Sequence, residues 1–513
     1  MPCCPEKADG DDRFLPYVKA IVKPFEILLS LNKTNILPAP IWGNCMTWSK
    51  VSLVVLSMSY WFLFVVGFTT VAPAAEIQMQ VQAAPPTQSA LSPTGKLLTI
   101  EDAVRIGLDN HPRIKSANER IGSLQAVLGQ QMAAYYPTVS MSNQYRTSQS
   151  STNGGNDHAA DSFSSQASFN MLLYNFGKRE GNVQAARETL DATKNDYETT
   201  NQDIILAVKQ AYYVYLGTQA LVKVRQETVR SRELLVRQAQ GFYEVGTRAK
   251  IDVARAEANL YTAQADLIAA ENGVKIAWVT LRNAMGSPRL PEQPVAEDSP
   301  EVQFTMNLAG ARNVAFDARS ELKSFEAQRR ASDQLIATAR RGHLPDLIFD
   351  ASYGRRHVSD QTVNDRTLNT FPLQATWSVQ LSFNIPIFDG FRTTNRVEET
   401  LHNYYNVRAQ EEDRRQQIAL EVEQSYLRVV ETQERIRATE SAARAAKENL
   451  DLAQGRYQVG VGSIIEVTDA ETLYTDAQTT YIRTIYDYKI ADAQLARAMG
   501  DTRVGVLKPG SIK

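Results

Sequence analysis

The feature that most constrains this chain is that it is written twice. From Ala167 to Gly286 it aligns without a gap to Leu381 through Gly500, 214 positions on. Ser168, Phe169 and Asn170 meet Ser382, Phe383 and Asn384, and Met285 and Gly286 meet Met499 and Gly500. Upstream the offset is 208, pairing Ala103 with Ala311, Lys115 with Lys323 and Pro137 with Pro345. The difference falls between about 146 and 163 against 354 to 377. The first-copy segment "RTSQSSTNGGNDHAADS" is polar and Gly/Asn-rich, so it reads as an exposed loop. The fold must therefore be one supersecondary unit used two times.

Each copy has the same order of elements. A helix is expected from about Thr99 to Ala134, and from about Met306 to Arg341, stopped by Pro137 and Pro345. A strand, a loop and a second strand follow. In "PTVSMSNQY", Val139, Met141 and Tyr145 share a face; in "SQASFNMLLY", Ala167, Phe169, Met171 and Leu173 do. The second copy repeats this with Leu347, Phe349, Ala351 and Tyr353, and with Trp377, Val379, Leu381, Phe383 and Ile385. A very long helix is then expected from about Lys178 to Gln240 (Thr394 to Gln454), turning at Gly246 (Gly460) into a returning helix, about Ile251 to Ala284 (Glu466 to Met499). Such rods are about 95 Å long and bury their apolar stripe only against partners, as in a coiled coil.

A single hairpin of this kind is more simply a half-buried strand pair in a soluble sheet. Four alternating strands of about nine residues, with polar faces nearly free of charge and long polar loops, instead suit strands that cross a bilayer. Four strands cannot close a barrel, and an open edge in lipid leaves backbone groups unsatisfied, so this reading requires oligomerisation.

The N-terminal region concerns export. Residues 51–68, "VSLVVLSMSYWFLFVVGF", form an apolar run, and Ala72 and Ala74 give the small-x-small pattern of a signal-peptide cleavage site. A transmembrane anchor is the alternative, since the run is near the spanning threshold. All three cysteines, Cys3, Cys4 and Cys45, precede the run; cleavage after Ala74 leaves none, which fits an oxidising compartment, and gives no site for a lipid. Translation is expected to start at Met46. The domains are then 1–75 (extension and signal peptide), 76–97 (Gln/Ala/Pro-rich linker), 98–297 (first repeat), 298–505 (second repeat) and 506–513 (tail). With 57 acidic and 55 basic residues there is no global field to draw nucleic acid. The five histidines show no ligand spacing, and no nucleophile elbow or phosphate loop occurs, so neither enzyme, metal nor cofactor is expected.

The repeated unit behind an export signal resembles the TolC family of outer membrane efflux proteins. The resemblance covers about residues 97 to 505 and rests on "LTIEDAVRIGLDNHPRI", "YNFGKR", "IPIFDGFR" and the two turns "YEVGTRAKIDVARAE" and "YQVGVGSIIEVTDAE". It implies a mainly α fold with a β-barrel part: a homotrimer whose twelve strands form an outer-membrane barrel, continued by an α-helical barrel across the periplasm. It also implies docking of a periplasmic adaptor and an inner-membrane transporter at a closed tip, with substrates passing unchanged. A periplasmic coiled-coil adaptor or scaffold without its own barrel is the alternative; it needs no charge-poor alternating strands.

The resemblance assigns roles at the tip. Val245, Gly246, Thr247, Val459, Gly460 and Val461 match adaptor-contact turns. Glu466 and Asp469, three apart on one helical face, match an acidic pair at the pore constriction. Asp252 and Tyr457 match positions that link neighbouring helices and hold the tip shut. Asp252 and Glu466 also suit a plainer role as first-turn acids facing a helix dipole. Where well-known members carry an arginine in the second turn, this chain has Gly462, and Arg248 or Lys250 of the first turn is the available substitute.

Overall fold

The computed structural model describes residues 97–151, 157–297, 306–362, 368–370 and 373–500, all within the unit Pro93–Lys513. The apolar run, the cleavage site, most of the linker and the C-terminal tail lie outside the described residues.

The first repeat contains α1 (Ile100–Asn110), α2 (Pro112–Met132), β1 (Thr138–Ser151), β2 (Asp157–Tyr174), α3 (Lys178–Glu244) and α4 (Lys250–Ala284). The second contains α5 (Leu308–Ala318), α6 (Ser320–Arg340), β3 (Asp346–Thr362), β4 (Leu368–Thr370), β5 (Gln374–Asn384), α7 (Arg392–Gln458) and α8 (Ile464–Ala498). The long helices α3 and α7 each run 67 residues without a break, about 100 Å at the α-helical rise. Their burial is set by the duplication. Ala103, Ile204, Val208, Leu281 and Met285 are buried in one core, and Ala311, Ile418, Val422, Leu495 and Met499, their counterparts, are buried in the other.

The helix expected over 99–134 is two helices. Pro112 occupies the first turn of α2, and the residue before a proline is pushed to extended backbone, which His111 adopts (φ −66°, ψ 126°). The second repeat has no proline there, yet Arg319 takes the same conformation (φ −63°, ψ 121°). The shared cause is tertiary. Gly286 and Gly500, both at positive φ, end α4 and α8 directly against these breaks, and a Cβ on Gly286 would stand 2.6 Å from the His111 Cα.

The sheet order is β1, β2, β3 and then β4 and β5, which pair successive stretches of the same edge of β3. The strands are longer than the expected nine residues. β1 and β2 extend through most of the segment expected as a loop, Ser151 pairing with Asp157. Register places like with like. Met141, Ala167, Tyr353 and Trp377 form one row, and Met171, Phe349 and Leu381 another. On the opposite face Ser140, Ser168, Ser352 and Ser378 form a row, with the last two hydroxyls 2.8 Å apart. The apolar face is open: Val139, Met141 and Trp377 are each more than 70% exposed. The polar face carries charge that strand patterning understated, Arg146, Asp346, Asp350 and Arg356, and Asp350 accepts a 2.6 Å hydrogen bond from Asn170.

Charges staple the repeats together near the α5–α6 break. Arg319, fully buried, pairs through Nη2 with Glu421 (2.7 Å) and through Nε with Glu321 (3.0 Å), and Nη1 donates to the Arg497 and Ala498 carbonyls. Arg497 in turn binds Asp203 of α3 and Glu321, both within 2.8 Å, and Arg414 joins the two glutamates from α7. Burial alone would raise the Glu321 carboxyl, but the guanidiniums of Arg319 and Arg497 more than offset it and hold it below the usual carboxylate range. Breaking such a pair from one side leaves buried charge uncompensated. Arg319→Met is expected to cost about 3 kcal/mol, read as a lowered melting temperature of the detergent-solubilised protein. Because the Glu321 carboxyl is depressed in the folded state, its contribution is present at neutral pH and lost as pH falls through and below the usual carboxylate range. Glu321→Gln should therefore flatten the acid limb of the melting-temperature profile.

Candidate functional site

The far end of the helical hairpins is closed by two turns built alike. Gly246 (φ 75°) and Gly460 (φ 83°) take the left-handed conformation that glycine allows at no steric cost. Around Gly246 the amides of Thr247 and Gly246 return to the carbonyls of Phe242 and Tyr243, and around Gly460 those of Val461 and Gly460 return to Arg456 and Tyr457. Both are Schellman caps, which satisfy the last carbonyls of α3 and α7. The caps leave Val245, Gly246, Thr247, Val459, Gly460 and Val461 all exposed, with Val245, Val459 and Val461 each above 70%.

Behind the turns the four helices of the two repeats share one apolar core. Leu235 and Ala239 of α3, Ala256 of α4, Leu450 and Tyr457 of α7, and Ile464 and Val467 of α8 are buried in it. Phe242 meets the Tyr457 ring edge to face at 5.5 Å.

Polar groups then cross between the repeats. Arg248 leaves the first turn and donates through Nη2 to the carbonyls of Gly460 (3.1 Å) and Gly462 (2.5 Å), its guanidinium lying 5.7 Å from the centre of the Tyr457 ring. Of the two cations named as substitutes in the first turn, Arg248 is the one that makes this reach. Gly462 is buried, and a Cβ there would sit 2.9 Å from the Tyr457 amide nitrogen and 3.0 Å from the Arg456 carbonyl carbon. The second turn is therefore packed too tightly for the side chain that its sequence lacks.

Tyr457 is 1% exposed, and its hydroxyl has no hydrogen-bond partner among the described residues, so the expected link to Asp252 is not closed within one chain. The two groups are nevertheless neighbours. Burial, and then the charge of Asp252, push the Tyr457 phenol above its ordinary value, while Arg248 pulls the other way.

Glu466 and Asp469 both lie exposed on the first turns of α8. Glu466 is paired: its Oε1 lies 3.1 Å from Nε of Arg456 on α7, and its amide donates to the Ser463 hydroxyl that caps α8. The cap was legible, because Ser463-x-x-Glu466 is the spacing of a capping box. The Arg456 pairing carried no local signal, since it spans the turn. Also missed was an ion pair inside the shaft, Arg232 Nε to Glu471 Oε2 at 2.8 Å, joining α3 to α8 with both side chains under 10% exposed. Burial pushes the Glu471 carboxyl up in spite of Ser231 and Arg232.

A charge-poor sheet with one apolar face and two open edges, carried on helical hairpins about 100 Å long, defines the subunit of a membrane channel with an extended helical duct. Comparisons with known proteins agree. The family described as outer membrane efflux protein matches residues 104–287 and 312–501, one segment in each repeat. The outer membrane protein TolC of Vibrio cholerae is 25% identical over 401 residues, which span 76% of this chain and 88% of that protein. Protein CyaE of Bordetella pertussis is 25% identical over 405 residues, 75% of this chain and 80% of that protein. The crystal structure of a membrane protein from Pseudomonas aeruginosa has the same fold, with a TM-score of 0.67 at 20% identity over 78% of this chain and 93% of that one. The chain belongs to the outer membrane efflux protein family, and with it to the outer membrane, its helices extending into the periplasm.

The close packing at Gly462 yields a test of the turn itself. Gly462→Ala should raise amide hydrogen exchange of residues 459–463 by about tenfold or more, since local opening absorbs the clash. Gly273→Ala, where a Cβ meets nothing within 4 Å, should leave it unchanged.

Proposed function

We propose that the chain is the outer-membrane exit duct of a tripartite efflux or type I secretion system, a trimeric channel-tunnel that opens at its periplasmic tip when an adaptor and an inner-membrane transporter dock. The observation that carries this reading is the sheet: one continuous apolar face across four strand columns, with β1 and β5 as unpaired edges. Three copies supply twelve strand columns, enough to close a barrel and pair every edge. A barrel-less adaptor would expose this face to water without reason. In this reading substrates pass through the conduit unchanged.

In this reading the tip is the gate. Arg248 is the latch, because it ties the first turn to the backbone of the second at the position where the chain lacks an arginine of its own. Asp252 and Tyr457 form the neighbouring link, with Asp252 held beside the buried phenol. Glu466 and Asp469 line the constriction, where three copies make two carboxylate rings, and Arg456 neutralises part of the Glu466 ring. The exposed Val-Gly-Thr and Val-Gly-Val turns are the adaptor contacts. Each polar link is worth about 1 to 3 kcal/mol when partly buried, so a docked adaptor can open the gate by replacing a few of them.

Single-channel recording in planar bilayers tests this. Arg248→Ala and Asp252→Ala should each raise conductance. Glu466→Gln combined with Asp469→Asn should weaken block by divalent cations, and Arg456→Ala should strengthen it. Unchanged conductance in the first pair would remove the gate role, and an unaltered block would remove the carboxylate rings.

A further inference from the structure

The duplication makes one face of this chain a template for another. Within the chain, α3 of the first repeat packs against α6 of the second. Gly177, at the start of α3, sits under Arg341: its carbonyl accepts from Arg341 Nη1 at 2.8 Å, and a Cβ on Gly177 would stand 2.9 Å from that nitrogen. Further along, Glu188 pairs with Arg330 at 2.8 Å. Among the described residues, α2 of the first repeat and α7 of the second do not pack on each other in this way. Their equivalent residues, found by the 208 and 214 offsets, are Ala133 for Arg341, Phe391 for Gly177, Gly122 for Arg330 and His402 for Glu188. All four are exposed.

We propose that neighbouring copies of this chain meet by repeating the in-chain contact with the side-chain sizes exchanged, Phe391 of one copy seating on Ala133 of the next. This rests on the closed ring of copies argued above. The complementarity is what supports it. Inside the chain the small residue is on the long helix and the large one opposite, Gly177 under Arg341. At the free faces the order is reversed, with Phe391 on the long helix and Ala133 opposite. The second pair follows suit, the Glu188–Arg330 ion pair giving way to a His402 ring facing Gly122. Backbone geometry agrees, because Gly177 (φ 84°) and Phe391 (φ 63°) hold the same left-handed conformation at the same helix start. That conformation favours glycine, so a phenylalanine kept there, 65% exposed in the single chain, calls for a surface to cover it.

The same rule aligns the free strand edges. In the chain, Ala167 pairs with Tyr353 and Met171 with Phe349. The equivalent pairs between copies are Leu381 with Tyr145 and Ile385 with Met141, which keep apolar side chains on the lipid side in both strands. Helix seat and strand register thus come from one rotation, applied once inside the chain and once between chains.

Two experiments on the full chain test the seat. In a background with Cys3, Cys4 and Cys45 replaced by Ser, Ala133→Cys with Phe391→Cys should form covalent dimers and trimers on oxidation in membranes, and neither single variant should. Separately, Ala133→Arg alone should lower the fraction of detergent-stable oligomer by about tenfold through overpacking. Adding Phe391→Gly should restore it, because the pair then reproduces Gly177 under Arg341. Absent crosslinks and no rescue, with an oligomer of normal mass by light scattering, would overturn the seat while leaving the ring. A monomer by light scattering for the unmodified chain would overturn the ring and the seat together. Quenching of Phe391→Trp by brominated phospholipid would place that side chain in lipid, and would also overturn the seat.

Discussion

Everything in this structure answers to the unpaired edges of its sheet. A strand edge in hydrocarbon has no water to satisfy its amides and carbonyls, and each group left open costs several kcal/mol. The described residues of one chain supply four strand columns, with β1 and β5 outermost, and in the proposed duct these edges are paired by further copies. The two-fold writing of the sequence is the economical solution. If the surface between repeats can also serve between copies, one interface geometry closes the whole ring.

The helices inherit that geometry. Because α3 and α7 continue directly from β2 and β5 across short turns, the spacing of strands sets the spacing of rods. The rods in turn bury small side chains such as Ala239, Ala256 and Ala453 at close approach. What distinguishes the repeats is where charge has been placed. The first repeat fills its break with Pro112 and an apolar core. The second uses Arg319, Glu321, Glu421 and Arg497, a network centred on the buried Arg319 and Glu321 that fixes α8 and, through Asp203, α3 relative to α6. A network of this kind adds little net stability over an apolar core, but it is costly to break from one side. At the tip the same asymmetry makes the first turn the donor, through Arg248, and the second turn the acceptor, through two backbone carbonyls.

Much of this is legible in the sequence. The long rods were readable because 3.6-residue periodicity runs unbroken by proline, and their observed ends lie within a few residues of expectation. The two lipid-side faces were readable because strand alternation admits only one assignment. The α1–α2 break was missed in both copies, although Pro112 marks the first. Arg319 marks nothing locally, since a helix can run through arginine as easily as stop at it. The strand lengths were underestimated for the opposite reason: Ser, Thr, Gln and Asn are turn formers in isolation, yet an existing ladder carries them as strand.

By itself the sequence determined the repeated unit, the order of its elements, which strand face is apolar, and where glycine lets the helices reverse. Those are properties of residues near one another in the chain. Only the tertiary structure decided that Arg248 reaches the second turn, that Glu466 is paired with Arg456, that Gly462 has no room for a side chain, and that Arg232 and Glu471 are buried together. The Arg248 reach and the Arg232–Glu471 pair depend on the distance between helices far apart in sequence, the other two on how the second turn folds back on the end of α7, and periodicity says which face of a helix is covered without saying by what.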